Sequence, residues 1–548
     1  MQFVVFLGFT ILVAAISYYK TKSTDESSSD GYFLGGRSLG AGVIAGSLLL
    51  TNLSTEQIVG LNGSAYESGL SVMVWETLAA IAMVVTAIYL LPKYLKSGLT
   101  TLPQFLMERF DATTKSLTSL LFLTGYAVVL LPIILYSGAL AFSGMFDVPE
   151  VLNISEEQSI WLCVWAIGIV GSIYAVFGGL KAVAVSDSIN AVGLLIGGLM
   201  IPVLGLSLVG DGSIIEGIST LTKAQPEMFR SLGKPNDPVP FHTIFTGMML
   251  VQLFYWGTNQ QIIQRALAAR SLEEGQKGLL LASFVKILGP IIVVLPGLIA
   301  FYVFKGGLDS PDEAYPLLVK KVLPGTWLGF FAAVLFGAIL SSFNSVLNSA
   351  VTLFGVDIYK GLFHKEAPEH VLVKKGKLFG IVLAIMAMCI APFIAKAGNL
   401  FDYLQEVNGI YSIPILSIFI VGFFTKRVPA MAAKIGMLSG CLLYCLSQFV
   451  LQPYFVNKAL SKAALDGISN PEALEVIESS AYPHFLDVMA ILFVVNVAIM
   501  LIIGKWKPRP VPFVQNYTSQ VSIQPWKYVG ISGLAICLFV IAIYIYFA

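Results

Sequence analysis

Four ionisable side chains stand inside apolar runs of this sequence: Glu56 in TNLSTEQIVG, Glu76 in SVMVWETLAA, Asp187 in AVAVSDSINAV and Lys286 in ASFVKILGP. A charge at the centre of a bilayer costs at least about 2.5 kcal/mol and persists mainly where it faces a partner or a cavity. Glu76 and Lys286 are flanked by apolar residues for a turn or more on both sides, and together they cancel. As a structural ion pair they would lock two helices; as part of a polar cavity they would meet a ligand. Four amides, Gln57, Gln252, Gln260 and Gln405, fall within or beside the same runs. Amides with one carboxylate and one ammonium make a ring of donors and acceptors without net charge, which suits a neutral, polyhydroxylated ligand. An anionic ligand would call for arginine or bare helix N-termini, and a cationic one for surplus carboxylate. Trp75, Tyr255, Trp256 and Phe401 offer ring faces, but Trp and Tyr also favour membrane interfaces, and only Tyr255 and Trp256 fall at an expected helix break.

A second group is GAILSSFNSVLNSA (337 to 350), which puts Ser341, Ser342, Asn344, Ser345, Asn348 and Ser349 on one long span. Small polar residues can simply glue helices together. A hydroxyl cluster facing an unwound helix turn also offers hard oxygen donors, and hard cations take hydroxyl and freed carbonyl oxygens. Sodium fits, with backbone carbonyls of the TNLS turn completing a shell begun by Ser341 and Ser342. Asp187 is either the N-cap of the span it starts or a carboxylate facing the serine helix.

These groups need helices to hold them. Of 548 residues, 56% are hydrophobic and 12% charged, against roughly 45 to 50% and 25% in soluble domains, so the chain reads as an all-α membrane protein. A span takes about 20 apolar residues. About fourteen such stretches are expected, at 1–20, 40–62, 70–93, 113–146, 157–179, 187–210, 242–267, 276–305, 325–361, 372–396, 399–424, 430–451, 482–504 and 526–547. The net charge of +1 says nothing about partners, but basic loops at Lys20 to Arg37, Lys93 to Lys115, Arg265 to Lys277, Lys360 to Lys377 and Lys505 to Arg509 alternate with acidic ones near Asp147 to Glu157 and Ala464 to Glu478. The basic loops belong inside, and an even helix count places both termini outside the cytoplasm of a cell with this multi-pass protein in its inner membrane. No basic stretch precedes the first apolar run, while Lys20 and Lys22 follow it, so it reads as a retained helix rather than a signal peptide. Five cysteines, Cys163, Cys389, Cys441, Cys445 and Cys537, all fall in spans and read as small apolar packers.

The tract TKSTDESSSDG reads as a flexible linker that sets a peripheral helix, 1–20, apart from the rest. Taking 40–210 and 242–424 as five-helix units makes the second an inverted copy of the first, because five is odd; 430–548 then adds three peripheral helices. Inverted repeats with a broken first helix in each unit are a transporter architecture, with solute and ions bound at the breaks. TNLSTEQ and YWGTNQQ (255 to 261) interrupt the corresponding spans. Enzyme readings find no zinc-protease HExxH, GxSxG elbow or P-loop, and the four histidines are scattered, so no catalytic constellation remains. HKEAPEH (364 to 370) contains a proline and reads as a solvated loop. Nothing points to nucleic acid, and the oligomeric state is not legible.

DGYFLGGRSLG, TNLSTEQIVGLNGSAYESGL, YAVFGGLKAVAVSD, FYWGTNQQIIQRALAARS, VVLPG, ILSSFNSVLNSAVTLFGVDIYK and YLQEVNGIYS together resemble the sodium:solute symporter family, over about residues 1 to 430. Within it the chain is most similar to sodium/glucose and sodium/galactose cotransporters, which implies a fourteen-helix, LeuT-like five-plus-five fold. The resemblance implies a sodium site made of the Leu50, Leu53 and Ala338 carbonyls with the Ser341 and Ser342 hydroxyls. It implies that Gln57, Glu76, Lys286 and Gln405 bond sugar hydroxyls, that Tyr255 stacks under the ring as an inner gate held by Asn52, and that Trp256 adjoins it. Leu61, Trp75 and Phe401 would form the outer gate. Gln252 stands where a bacterial galactose transporter has Asn, Ala79 where it has Ser, and Trp75 replaces its outer-gate Tyr, so glucose, galactose and an inositol all stay open. Some members hold a second sodium, here on Asp187, Ser341, Asn344 and Ser345, with Asn344 in place of a usual Ser or Thr. The rivals are a sodium symporter for sialic acid, an amino acid or a vitamin, and, from other classes, a membrane sensor or a channel. Glu56 is left without a ligand; an anchoring bond to Asn259 or a neighbouring helix is its expected role.

Overall fold

The computed structural model describes residues 2–21, 28–235, 237–396 and 400–548. Residues 22–27 of the expected linker lie outside these. Its remainder is not an open tether, because the Ser28 hydroxyl accepts from Gly31 N at 3.1 Å and starts a short helix, Ser29–Leu34. Among the described residues there is no strand, only two isolated bridges, Leu39 with Ala269 and Ser271 with Ser522.

The principal helices are α1 (Gln2–Thr21), α2 (Ala41–Asn52), α3 (Thr55–Ser68), α4 (Val74–Val85), α5 (Leu131–Phe146), α6 (Glu156–Val209), α7 (Gly247–Thr258), α8 (Gln260–Leu267), α9 (Leu272–Lys286), α10 (Leu295–Phe304), α11 (Gly325–Thr352), α12 (Glu369–Ile390), α13 (Leu400–Phe424), α14 (Ala430–Leu446), α15 (Phe485–Trp506) and α16 (Val529–Tyr546). Among the described residues eleven helices are long and apolar enough to cross a membrane, or twelve if the pair bent by 48° at residues 287–288 is one span. The expected spans 40–62 and 242–267 are missing from that count because both are interrupted: α2 and α3 are 12 and 14 residues long, α7 and α8 are 12 and 8. Leu53 (ψ 56°) and the extended Ser54 (ψ 176°) separate α2 from α3, and the extended Asn259 (ψ 124°) separates α7 from α8. Both breaks fall within the polar stretches singled out in the sequence.

Helix α6 is kinked at Gly179, whose φ of 58° suits a residue without a Cβ. Helical geometry resumes there, so Asp187 lies two turns inside the helix and is not its N-cap. Helix α2 packs against α6, α9 and α11, α6 also packs against α11, α1 lies outside against α6 and α11, and α16 lies outside against α4 and α9. Much of α1 and α16 is exposed, Val4, Ile11, Ile531 and Leu534 among it, as lipid-facing helices require.

All five basic loops meet at one end of the molecule. Arg37 Nη2 donates to Gly98 O at 2.7 Å, Leu39 N to Ala268 O at 3.1 Å, Ser29 N to Glu369 Oε2 at 2.9 Å and Arg509 Nη1 to Arg109 O at 2.9 Å. The segment between α15 and α16 runs across this end as a strap. Gln515 Nε2 donates to Lys93 O at 2.7 Å, Thr518 N to Lys96 O at 3.1 Å, Leu272 N bonds Ser522 O at 2.9 Å, and Trp526 N donates to Gln276 Oε1 at 2.8 Å.

Candidate functional site

The first break brings polar side chains of four helices together. Lys286, the last residue of α9, and Glu76, in the first turn of α4, pair at 2.5 Å between Nζ and Oε2, and their side chains are 1% and 0% exposed. Gln57 Nε2, from the first turn of α3, donates to the other Glu76 oxygen at 2.7 Å. Lys286 also donates to Asn52 Oδ1, at the last residue of α2. A buried pair of this kind is stable only with its spare donors and acceptors satisfied, and here both carboxylate oxygens are in use. Gly289 makes the room: a Cβ there would stand 2.1 Å from Glu76 Oε2.

Aromatic rings enclose this network. Lys286 Nζ lies 5.8 Å from the Trp256 ring centre, and the Trp256 and Tyr255 rings are 5.3 Å apart. The Tyr255 hydroxyl faces the Asn52 and Gln261 side chains. On the other side the Trp75 and Phe401 rings meet edge to face at 5.1 Å, with Leu61 fully buried in the same apolar cluster. Gln252 Nε2 donates to Trp75 O at 3.0 Å and so holds α7 to α4. Gln405 is half-buried on α13, one turn beyond Phe401.

Beside the first break, α11 presents the serine cluster. Ser342 Oγ donates to Thr51 O at 3.1 Å, and the Thr51 and Ser345 hydroxyls are 3.0 Å apart. Ser341 Oγ and Asn344 Oδ1 are buried without a hydrogen bond. Buried polar oxygens are rarely left so, and these are donors suited to a cation. Helical dihedrals end at Leu53, which takes the carbonyls of Leu50 and Leu53 out of the ordinary ladder; Ala338 is buried one turn before Ser341 and Ser342. From α6, Asp187 Oδ2 accepts from Ser47 Oγ at 2.6 Å, and its carboxylate neighbours Ser341.

A family model described as the sodium:solute symporter family matches residues 32–440. The chain belongs to the sodium:solute symporter family. This symporter is 47% identical over 545 residues to the uncharacterized symporter YidK of Escherichia coli (strain K12), covering 99% of this chain and 90% of that protein. It is 33% identical over 462 residues to a sodium/glucose cotransporter of Vibrio parahaemolyticus, covering 80% and 83%. To sodium/myo-inositol cotransporter 2 of Sus scrofa it is 28% identical over 465 residues, covering 79% and 67%. Its fold is similar to that of a Na+-coupled sialic acid symporter solved in a substrate-bound outward-open state, with a TM-score of 0.72, 20% identity and coverage of 94% and 99%. It is also similar to Mhp1, a nucleobase-cation-symport-1 family transporter, with a TM-score of 0.53, 14% identity and coverage of 87% and 95%. The symporter therefore has the LeuT-like five-plus-five inverted-repeat fold with a broken first helix in each repeat, and sodium is its coupling ion.

Some expectations for this symporter need correction. Gln260 does not join the polar ring; its Oε1 accepts from Leu102 N at 2.8 Å, because the break at Asn259 turns it toward the end of the molecule with the basic loops. Asn259 does not anchor Glu56: its Oδ1 accepts from the Tyr126 hydroxyl at 2.7 Å and caps α8 through Gln261 N at 3.2 Å. Glu56 is buried beside Ser54 and Tyr255, with Oε2 unpartnered. Arg265 is not part of a basic loop but fully buried, donating to Ser345 Oγ, the Gln261 carbonyl and Ser47 Oγ. An arginine flanked by QQIIQ and ALA reads as the end of a span; its helical spacing from Gln261 was the available signal. Gly289 escaped notice because a Gly-Pro pair in a span reads as a kink and nothing more.

Proposed function

We propose that this symporter carries a neutral sugar or cyclic polyol, a hexose such as galactose or glucose or an inositol, inward with sodium by alternating access. The observation that carries this reading is the Asn52, Gln57, Glu76 and Lys286 network. It is dense in hydrogen-bonding groups and carries no net charge. A charged solute would need a partner of its own, and the Lys286 ammonium is already matched by Glu76. The names of the sodium/glucose and sodium/myo-inositol cotransporters to which the chain is similar support the same solute class.

In this reading, residues 40–210 and 242–424 are the two repeats. Sodium sits on the Leu50, Leu53 and Ala338 carbonyls with Ser341 and Ser342, and holds the first break against α11. That fixes Asn52 and Gln57 for the solute, which Glu76, Lys286, Gln252 and Gln405 complete, with Tyr255 and Trp256 as the inner wall. Trp75, Leu61 and Phe401 close it from outside. The basic end faces the cytoplasm, which leaves both termini on the far side of an inner membrane. The chain moves its solute unaltered and is not an enzyme.

The test is uptake of labelled galactose, glucose and myo-inositol into proteoliposomes of the purified protein under an inward sodium gradient. At least one of the three is expected to accumulate, and to stop doing so when choline replaces sodium. Accumulation of none of the three, with a charged solute accumulating instead, would falsify the substrate class.

A further inference from the structure

At the end of the molecule where the basic loops meet, three lysines line one cleft. Lys93 and Lys96 stand three apart, on one face of the helix Leu91–Lys96 that continues α4 beyond a π turn at Thr86–Leu90, and Lys426 lies two residues past the end of α13. The strap walls the cleft with Phe513, Val514 and Gln515, around a cavity of about 220 Å³. A water takes roughly 30 Å³ of liquid, so the space holds several waters or one phosphate group. No carboxylate lines the cleft; Glu108 accepts instead from the Ser97 hydroxyl at 3.0 Å. Among the described residues none of the three lysines has an ion pair. The Lys93 ammonium stands over two rings, 4.7 Å from the centre of Phe423 and 4.8 Å from that of Phe424. Phe424, the last residue of α13, and Val514 on the strap are 71% and 76% exposed, which sets apolar surface beside the lysines at the level where a span meets lipid headgroups.

We propose that this cleft binds an anionic phosphate group, on a lipid headgroup or free in solution, and that the bound phosphate fastens the strap. Three like charges around one cavity repel one another, and an anion among them turns that repulsion into attraction. Lysine takes phosphate as a mobile point charge and needs no fixed fork geometry, and basic pockets at the ends of spans suit phosphate headgroups. The coupling to the strap lies in the backbone of the same three residues. Lys93 O accepts from Gln515 Nε2 at 2.7 Å, Lys96 O from Thr518 N at 3.1 Å and Lys426 O from Phe513 N at 2.9 Å. An anion that draws the three side chains together therefore steadies every residue to which this stretch of the strap is tied, and joins the end of α4 to that of α13. The site stands whatever the solute and whatever the sodium count.

The experiment follows tryptic cutting after Lys527, in the strap, on the purified protein in an uncharged detergent at constant ionic strength. Short-chain phosphatidylglycerol, phosphatidylcholine of the same chain length, or inorganic phosphate is titrated in. For the wild type, phosphatidylglycerol is expected to slow cutting to a plateau at concentrations where phosphatidylcholine does not. Lys93→Gln combined with Lys426→Gln is expected to move the midpoint up roughly 30-fold, the loss of two lysines beside an anionic headgroup. Lys426 is exposed, so Lys426→Gln alone serves if the double variant does not fold, with a shift of about fivefold. Protection by phosphatidylglycerol alone makes the occupant a lipid, and protection by inorganic phosphate makes it a soluble phosphate; either supports the site. Equal protection by phosphatidylcholine, protection by neither anion, or a midpoint that the lysine variants leave in place overturns it.

Discussion

Among the described residues Glu76 and Lys286 have no ionic partner but each other, and both are sealed from water, so removing one strands the other. Breaking a buried pair from one side costs about 3 to 5 kcal/mol, while replacing both partners with neutral groups is close to neutral. Glu76→Gln and Lys286→Met are therefore each expected to lower the melting temperature markedly and to abolish sodium-driven uptake. The double substitution should recover the melting temperature but not the uptake, since the solute still lacks its donor and acceptor. A single variant that keeps uptake would remove both residues from the site. Ser341 behaves oppositely, because its hydroxyl makes no hydrogen bond. Ser341→Ala, which removes a buried hydroxyl, is expected to change the sodium-free unfolding free energy by no more than about 1 kcal/mol. It should also erase the stabilisation that sodium confers, readable as a flat thermal shift across a sodium titration. A sodium-dependent shift equal to wild type would take Ser341 out of the cation shell.

At the scale of elements, the N-terminal end of α13 is held by a group outside the membrane spans. Asp312, in the turn Pro311–Glu313, accepts from the backbone N–H of Leu400, one residue before Phe401. Burial pushes its carboxyl up to about 6, against which the Leu400 bond works, and Glu67 and Glu313 push it further up. An acid whose folded value is raised binds its proton more tightly in the folded state. Stability from this group is therefore complete below about pH 4 and is lost as pH rises through about 6, a loss on the order of 3 kcal/mol. Asp312→Asn keeps an acceptor for Leu400 and cannot ionise, so it is expected to melt higher than wild type at pH 8 and equally at pH 4. Identical melting curves at both pH values would show that Asp312 stays neutral or solvated throughout. Elements are also where the sequence was most legible. Polar residues in an apolar run mark a break because an unwound turn needs partners for its backbone, and both TNLSTEQ and YWGTNQQ obeyed that rule. Gln260 and Arg265 did not, because which face a residue takes after a break depends on the new helix direction, and periodicity does not carry across it. Of the two readings of Asp187, the cap fails for a related reason: helical geometry resumes at the kink at Gly179, so the helical segment that carries Asp187 begins two turns before it.

For the molecule as a whole, the strap between α15 and α16 joins parts of the chain that lie far apart in sequence. A polar, irregular segment shows no periodicity, and its partners are mostly backbone groups, so nothing in the sequence announced it. Gln276 on α9 is its buried clasp, accepting from Trp526 N at 2.8 Å and donating to Ala87 O at 3.0 Å. Losing two such bonds costs about 1 to 3 kcal/mol. Gln276→Ala is accordingly expected to speed tryptic cutting after Lys527 by roughly 5- to 150-fold, the range that such a loss allows if cutting follows opening of the strap. An unchanged cutting rate would mean that the strap opens without releasing Gln276.

The self-satisfied network around Glu76 has a bearing on leakage. With Gln57 and Lys286 filling both carboxylate oxygens and Asn52 taking the ammonium, a carrier without solute leaves neither charge of this pair open to water or a stray ion. It can reset across the membrane dry. If the solute is the neutral sugar or polyol proposed, its binding is an exchange of hydrogen bonds, and one with a hydroxyl missing breaks resident bonds without replacing them. On that reading, slip of sodium without solute should be small for the same reason that near-miss sugars should be refused.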